Sequence, residues 1–157
     1  MQKLANTRKF DSMEQQAYLS LWRTYDRLKA IEDQLFAKWD LTPQQYNVLR
    51  LLEAAHPNPL PTLALSAKLI SRAPDITRML DKLENNAWIE RTRSTEDRRT
   101  VLVGLTLDGQ SLLQEIAKPL EELHVAQVGH LSKKQLDQLC DLLRLVREPH
   151  EAPGSDW

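Results

Sequence analysis

Apolar residues recur at spacings of three and four from early in the chain. Between residues 11 and 39 they fall at Tyr18, Leu21, Trp22, Tyr25, Leu28, Ile31, Leu35 and Trp39, which is one stripe of an amphipathic helix. Asp11 followed by Glu14 has the form of an N-terminal capping pair. At 1.5 Å per residue such a helix is about 40 Å long. That is long for a chain of 157 residues, so part of the stripe is expected to pack on another subunit.

Thr42-Pro43 with Gln45 predicts a second helix, to about residue 55, because Thr caps, Pro suits the first helical position and Gln completes a capping box. His56-Pro57-Asn58-Pro59-Leu60-Pro61 leaves room only for a short extended piece. Thr62 is read as the cap of a short helix to residue 69, Ile70-Ser71-Arg72 as a turn, and residues 74–86 as a fourth helix with Ile76, Met79, Leu80 and Leu83 inward. Two short helices around a tight turn form a helix-turn-helix. Asn85-Asn86 suit a left-handed helix end.

The period then changes to two. Residues 88–93 and 100–105 read as strands joined by polar Ser94-Thr95-Glu96-Asp97-Arg98, a hairpin of the kind called a wing. Thr106 caps a long helix over 107–128 that contains Pro119, a kink or break. Ser132 with Gln135 opens a last helix to about residue 147, with Leu136, Leu139, Leu142, Leu143 and Val146 apolar. The expected architecture is mainly α with a small β-hairpin wing. It divides into an N-terminal dimerisation helix (1–40), a winged helix-turn-helix lobe (41–106), C-terminal dimerisation helices (107–148) and a loose tail (149–157).

A net charge of −1 looks poor for a nucleic-acid binder, but its distribution is uneven. Residues 62–106 carry 8 Lys/Arg against 6 Asp/Glu, whereas residues 107–157 carry 5 against 9. Arg91, Arg93, Arg98 and Arg99 crowd into nine residues, and a local cationic patch suffices to contact a few phosphates. One cysteine, Cys140, excludes an internal disulfide and a cysteine-rich zinc site. No leader-like opening and no run of 18 apolar residues is present, so a cytoplasmic location without membrane contact is expected.

A helix-turn-helix reads duplex DNA by laying its second helix in the major groove. The groove-facing candidates are Arg72, Ala73, Asp75, Thr77, Arg78 and Lys82. Arg78 suits guanine, Thr77 a phosphate or a thymine methyl, and Lys82 a phosphate. Asp75 would be repelled there unless it accepts from cytosine or pairs with Arg72 or Arg78. An ordinary solvated helix face would carry the same charges, and the wing behind the helix is what favours DNA. In the wing the candidates are Arg93, Asp97, Arg98 and Arg99. Asp97 and Arg99 stand two apart, so the carboxylate can hold the guanidinium for the minor groove. The same pair could equally stabilise the turn.

Ile76-Thr77-Arg78-Met79-Leu80-Asp81-Lys82-Leu83-Glu84, followed by the run from Asp97-Arg98-Arg99 to Leu105-Thr106-Leu107-Asp108-Gly109, resembles the MarR family of bacterial regulators in its recognition-helix end and its wing. The resemblance implies a homodimer in which the first and last two helices interlock. It also implies two recognition helices in successive major grooves, and Arg99 near the minor groove. Three departures stand out. Val101 sits where the family often has a basic residue, and Ala87 where a helix-ending Gly is common, which would pass the left-handed position to Asn86. The opening Ser71-Arg72-Ala73-Pro74-Asp75 differs from the usual Ser/Thr-rich start.

Many members of that family release DNA on binding small aromatic or anionic effectors between the dimer helices and the DNA-binding lobe. Trp22, Arg23, Tyr25, Trp39 and Tyr46 are the residues that could line such a cleft here, although aromatics at helical spacing also serve core and interface. Cys140, among leucines, reads as an inert packed thiol. His124 and His130 with Glu121 and Glu122 form no compact metal set. No phosphate loop, nucleophile elbow or zinc-protease motif is present, so neither cofactor nor catalysis is expected. The reading is a repressor acting as a homodimer on a palindromic operator. The alternative is a winged-helix module that docks a protein without reading DNA sequence.

Overall fold

The computed structural model describes residues 9–155. Six helices surround a three-stranded sheet: α1 Met13–Phe36, α2 Pro43–Ala55, β1 Leu60–Pro61, α3 Thr62–Lys68, α4 Ile76–Asn85, β2 Ile89–Arg93, β3 Val101–Leu105, α5 Leu107–Val128 and α6 Lys133–Arg147. The sheet is antiparallel in the order β1-β3-β2, with Ile89 opposite Leu105, Arg91 opposite Val103 and Arg93 opposite Val101. The third helix and α4 form the helix-turn-helix, and β2 and β3 form the wing.

The helix ends follow local chemistry. Thr42 accepts from the Gln45 amide while Gln45 returns a bond to the Thr42 amide, and Ser132 and Gln135 do the same for α6, so both expected capping boxes form. Three other ends differ from expectation. At α1 the cap is Ser12, not Asp11: its hydroxyl accepts from the Gln15 amide, and the Gln15 side chain reaches back to Asp11. Thr62 lies inside α3, and its hydroxyl donates to the Val101 carbonyl at 3.2 Å, tying that helix to the sheet. Helix α4 starts at Ile76 rather than 74, because the Asp75 carboxylate takes the cap position and accepts from the Arg78 amide at 3.2 Å.

The end of α4 is a tight reversal. Ala87 donates to the Glu84 carbonyl and Trp88 to the Leu83 carbonyl, at 2.8 and 3.1 Å, the paired bonds of a Schellman motif. The left-handed residue is Ala87 itself, at φ +61°, while Asn86 stays at φ −86°. Position in the six-residue bond ring decides this, and the preference of Asn for left-handed backbone does not override it. Thr106 fastens the turn. Its hydroxyl donates to the Ala87 carbonyl at 2.6 Å and accepts from the Gly109 amide at 3.0 Å, while its own amide donates to the Trp88 carbonyl.

One apolar core joins the lobe to the helices around it. Phe36, Val48, Leu49, Leu52, Leu65, Leu80, Leu83, Ile89, Val103 and Ile116 are buried together, at about 1.5–3 kcal/mol of burial per large side chain. Pro119 sits inside α5 without ending it. Along α1, burial is confined to Leu35 and Phe36. Tyr18, Leu21, Trp22, Tyr25 and Ile31 stay exposed, as do Val125 on α5 and Leu139, Leu142, Leu145 and Val146 on α6. No residue of α6 is fully buried, and within one protomer only Leu136 and Leu143 of its apolar stripe are half-buried. Cys140, expected to be packed, is exposed. The start of the tail, expected to be loose, forms a 3-10 turn at Glu148–His150 with Arg147 paired to Glu151 at 3.0 Å; Asp156 and Trp157 lie outside the described residues.

Two substitutions test the reversal. Ala87→Gly removes the left-handed penalty of a Cβ and should stabilise the fold by about 1 kcal/mol. Gly109→Ala would set a Cβ 2.2 Å from the Trp88 carbonyl oxygen and should destabilise it by about 2–3 kcal/mol. Thermal melts of the two variants check both signs.

Candidate nucleic-acid interface

Among the described residues, the basic side chains of the reading surface divide into those already held by another group and those in no ion pair. On α4 and the turn before it, Arg72, Asp75, Thr77 and Arg78 are exposed and Ala73 is half-buried. Among the described residues the guanidinium groups of Arg72 and Arg78 take part in no ion pair. Asp75, expected to be repelled by DNA or to pair with an arginine, is neither in a pair nor unsatisfied. Capping α4 places its charge at the positive end of the helix and uses its acceptor. Lys82, read as a phosphate contact, is half-buried, its ammonium 3.2 Å from the Asp40 carboxylate. Asp40 has left-handed backbone, φ +52°, where α1 gives way to α2.

The wing tip is a set of short-range bonds. Ser94 and Thr100 close the hairpin at 2.9 Å, and the Ser94 hydroxyl accepts from the Glu96 and Asp97 amides. Asp97 does not hold the Arg99 guanidinium as expected. Its carboxylate accepts from the Arg99 backbone amide at 3.0 Å and from the Thr100 hydroxyl at 3.4 Å, as an Asx turn does. Arg93 braces the tip by donating to the Arg98 carbonyl at 3.1 Å. The guanidinium groups of Arg98 and Arg99 are exposed and, among the described residues, in no ion pair. The backbone is therefore held while two cations are left free.

Arg91 leaves the cationic patch that sequence alone assigns to it. It shares a face of β2 with buried Ile89 and turns toward α4. There it forks onto Glu84, with Nε and Nη2 at 3.2 Å, and Nη2 also meets Asp81. The Arg91 hydrogen bond holds the Glu84 carboxyl below its ordinary value, and the same bonds raise Arg91. Two amides of α2 also escaped sequence reasoning: Gln44 donates to the Ser71 hydroxyl and Asn47 accepts from the Ile70 amide, each at 3.0 Å. They tether the turn of the helix-turn-helix, and only their spacing of three on one helix face hints at it.

The five aromatic and basic residues proposed to line a cleft do not come together. Tyr25 and Tyr46 line a cavity of about 1250 Å³ between α1, α2, α5 and the turn, with Lys29, Arg50 and His124. Trp22 instead stacks obliquely on Tyr18 at 6.2 Å, and Trp39 donates to Glu115 at 3.2 Å. Arg23 is exposed away from that lining. Burial raises Glu32 in the same cavity above its ordinary value, against the opposing pull of His124. No group of three metal-ligating side chains occurs among the described residues, and no helix there is long and apolar enough to cross a membrane.

Asp97→Ala should release the Arg99 amide and the Thr100 hydroxyl. Faster hydrogen exchange at the wing tip is expected, with global stability changed by less than about 0.5 kcal/mol.

These features coincide with known proteins. Residues 41–101 match the MarR family model. Over 108 residues the chain is 32% identical to the multiple antibiotic resistance protein MarR of Salmonella typhimurium, covering 68% of this chain and 74% of that protein. The crystal structure of a MarR transcription factor from Planctomyces limnophilus is 47% identical, with a TM-score of 0.70 over 87% of this chain and 99% of the other. The fold is shared at TM-score 0.80, over 96% of each chain and at 21% identity, with Sco3205 of Streptomyces coelicolor, a MarR family regulator solved in complex with DNA. With its winged helix-turn-helix and unpartnered arginines, the chain belongs to the MarR family of DNA-binding transcriptional regulators.

Proposed function

We propose that the protein is a cytoplasmic repressor that acts as a homodimer on a palindromic operator and is released from it by a small aromatic anion. The observation that carries this reading is the division of cations. Arg78 on the recognition helix and Arg98 and Arg99 on the wing are exposed and, among the described residues, in no ion pair, while Lys82 and Arg91 are already engaged. Arg78 can bind guanine in the major groove through two donors, and Arg99 can enter the narrow adjoining minor groove. Three guanidinium groups per protomer give little affinity alone, and dimerisation doubles them.

The second protomer has a surface to occupy. A 15-residue helix with no buried residue, beside a stripe of exposed Tyr18, Trp22 and Tyr25, is larger than the scattered apolar exposure of a monomer. A dimer built on α1, α5 and α6 would place two recognition helices one helical turn of DNA apart, about 34–36 Å.

The effector would enter the cavity between these helices and the reading lobe. Tyr25 and Tyr46 offer ring faces, and Lys29 and Arg50 offer charge, although each is shared with a neighbouring carboxylate, Asp33 and Glu53. That lining suits a flat ring bearing one carboxylate.

Duplexes selected by the protein from a random pool, then titrated by fluorescence anisotropy, test the DNA reading. A palindromic consensus bound by a dimer is expected. Arg78→Ala should weaken binding by about 1–3 kcal/mol. Arg99→Ala should lower the slope of log affinity against log salt by about 1 per wing. Equal binding to scrambled duplexes would support a protein-docking module instead. For the effector, a series of benzoic and hydroxybenzoic acids should raise the melting temperature and lower duplex affinity, both effects shrinking in Tyr46→Ala.

A further inference from the structure

Sequence-specific binding by a helix and a wing requires that both arrive together. Arg78 sits near the start of α4 and Arg99 at the tip of a hairpin that leaves the far end of the same helix through the Ala87 reversal. The base of the hairpin is anchored by β1 and by buried Ile89, Val103 and Leu105, but its distal half, with the tip, could still tilt against α4. A wing that swings meets the minor groove as a separate, loosely tethered ligand, and the gain from linking two contacts falls as the tether loosens. Something must fix the angle between β2 and α4.

Arg91 is placed to do so. It stands at the middle of β2, opposite Val103, and its planar fork spans both oxygens of Glu84 while reaching Asp81 one turn earlier on α4. Its side chain is only 22% exposed, against 53% and 39% for the two carboxylates, so it is the shielded centre of the cluster. A guanidinium held by three bonds in a fixed plane restrains direction as well as distance. The same contact leaves the cluster with one net negative charge in place of two.

The geometry points to Arg91 as a positioning residue for operator binding: it locks the wing to the recognition helix through Glu84 and Asp81, so that Arg78 and Arg99 reach adjacent grooves as one rigid unit. It touches no base or phosphate itself. The inference rests on the DNA-binding reading above and adds to it a residue outside the contacting set.

A double-mutant comparison tests this, using the selected consensus duplex and the full-length protein. In the parent, Arg99→Ala should weaken binding roughly fivefold or more. In an Arg91→Ala background the same change should matter less than about twofold, because a free wing no longer delivers Arg99. Arg91→Lys keeps the charge but not the fork, and should behave like Arg91→Ala. If Arg91→Ala does not fold, Asp81→Asn with Glu84→Gln empties the clamp from the helix side and should give the same loss of Arg99 dependence. An undiminished Arg99 penalty in these backgrounds would overturn the proposal, as would no penalty in the parent, since the wing would then have nothing to deliver. A salt slope lowered by Arg91→Ala with the Arg99 penalty intact would make Arg91 an ordinary phosphate contact. Failure of Arg78→Ala to weaken binding at all would instead strike the DNA-binding reading itself, whatever Arg91 does.

Discussion

The structure turns on one hydroxyl. Thr106 donates to the Ala87 carbonyl, accepts from the Gly109 amide and, through its backbone, donates to Trp88. Three elements end or begin within this cluster: the recognition helix, the second wing strand and the long helix α5. A side chain that only capped α5 would leave the carbonyl of left-handed Ala87 without this partner. A turn without Thr106 would leave α5 free to pivot against the sheet. Glycine at 109 belongs to the same constraint, because the first turn of α5 lies so close to the Trp88 carbonyl that no Cβ fits. The Leu-Thr-x-x-Gly pattern is thus the record of a three-way junction, and the helix-turn-helix lobe is joined to α5 there.

Charge placement follows from this rigidity. A chain of net charge −1 cannot grip DNA as a broad basic surface. It can present a few guanidinium groups whose backbones are already ordered, so that little conformational entropy is lost on binding. The wing does this by spending its neutral and acidic groups on its own backbone: Ser94, Asp97 and Thr100 accept from five of its amides, and Arg93 braces the Arg98 carbonyl. Arg98 and Arg99 are left over. Acidic residues in the lobe therefore do not argue against DNA binding. Asp75 caps a helix, Asp97 closes a turn, and Asp81 and Glu84 hold an arginine.

What sequence could reveal depended on the range of the interaction involved. Both capping boxes, Thr42 with Gln45 and Ser132 with Gln135, were legible because the partners sit three residues apart and no distant contact competes. The wing was legible for the same reason, since strand alternation and turn residues are local. Thr62 was misread because its hydroxyl finds a carbonyl 39 residues away, on β3. Asn86 was favoured over Ala87 by intrinsic preference, but the Schellman bonds fix which residue turns left-handed, and the downstream junction holds it there. Arg91 counts toward the cationic patch in sequence because a cluster of arginines is visible there, whereas its carboxylate partners on another element are not. The cleft residues failed in the same way: helical spacing placed Trp22 and Trp39 on one stripe with Tyr25, yet only the packing of α2 and α5 decides which part of that stripe borders a cavity.

That cavity and the reading head share their walls. Gln44, Asn47, Ile70 and Ser71 line the space beside Tyr25 and Tyr46, and the same four residues form the two bonds that tether the helix-turn-helix turn to α2. The other wall is α1 and α5, where Val125 faces the space and, further along α1, Tyr18 and Trp22 are uncovered. Any change in the width of the space must therefore move the turn that leads into α4, the helices α1 and α5, or both, and in the proposed dimer either movement would alter the fit to two successive major grooves. Packed elements have discrete arrangements and do not deform smoothly, so an occupant preferring one width shifts a population without having to bend a spring. The space bordered by Asn47 and Ser71 is thus coupled to the start of α4 without being lined by Arg78, Arg98 or Arg99.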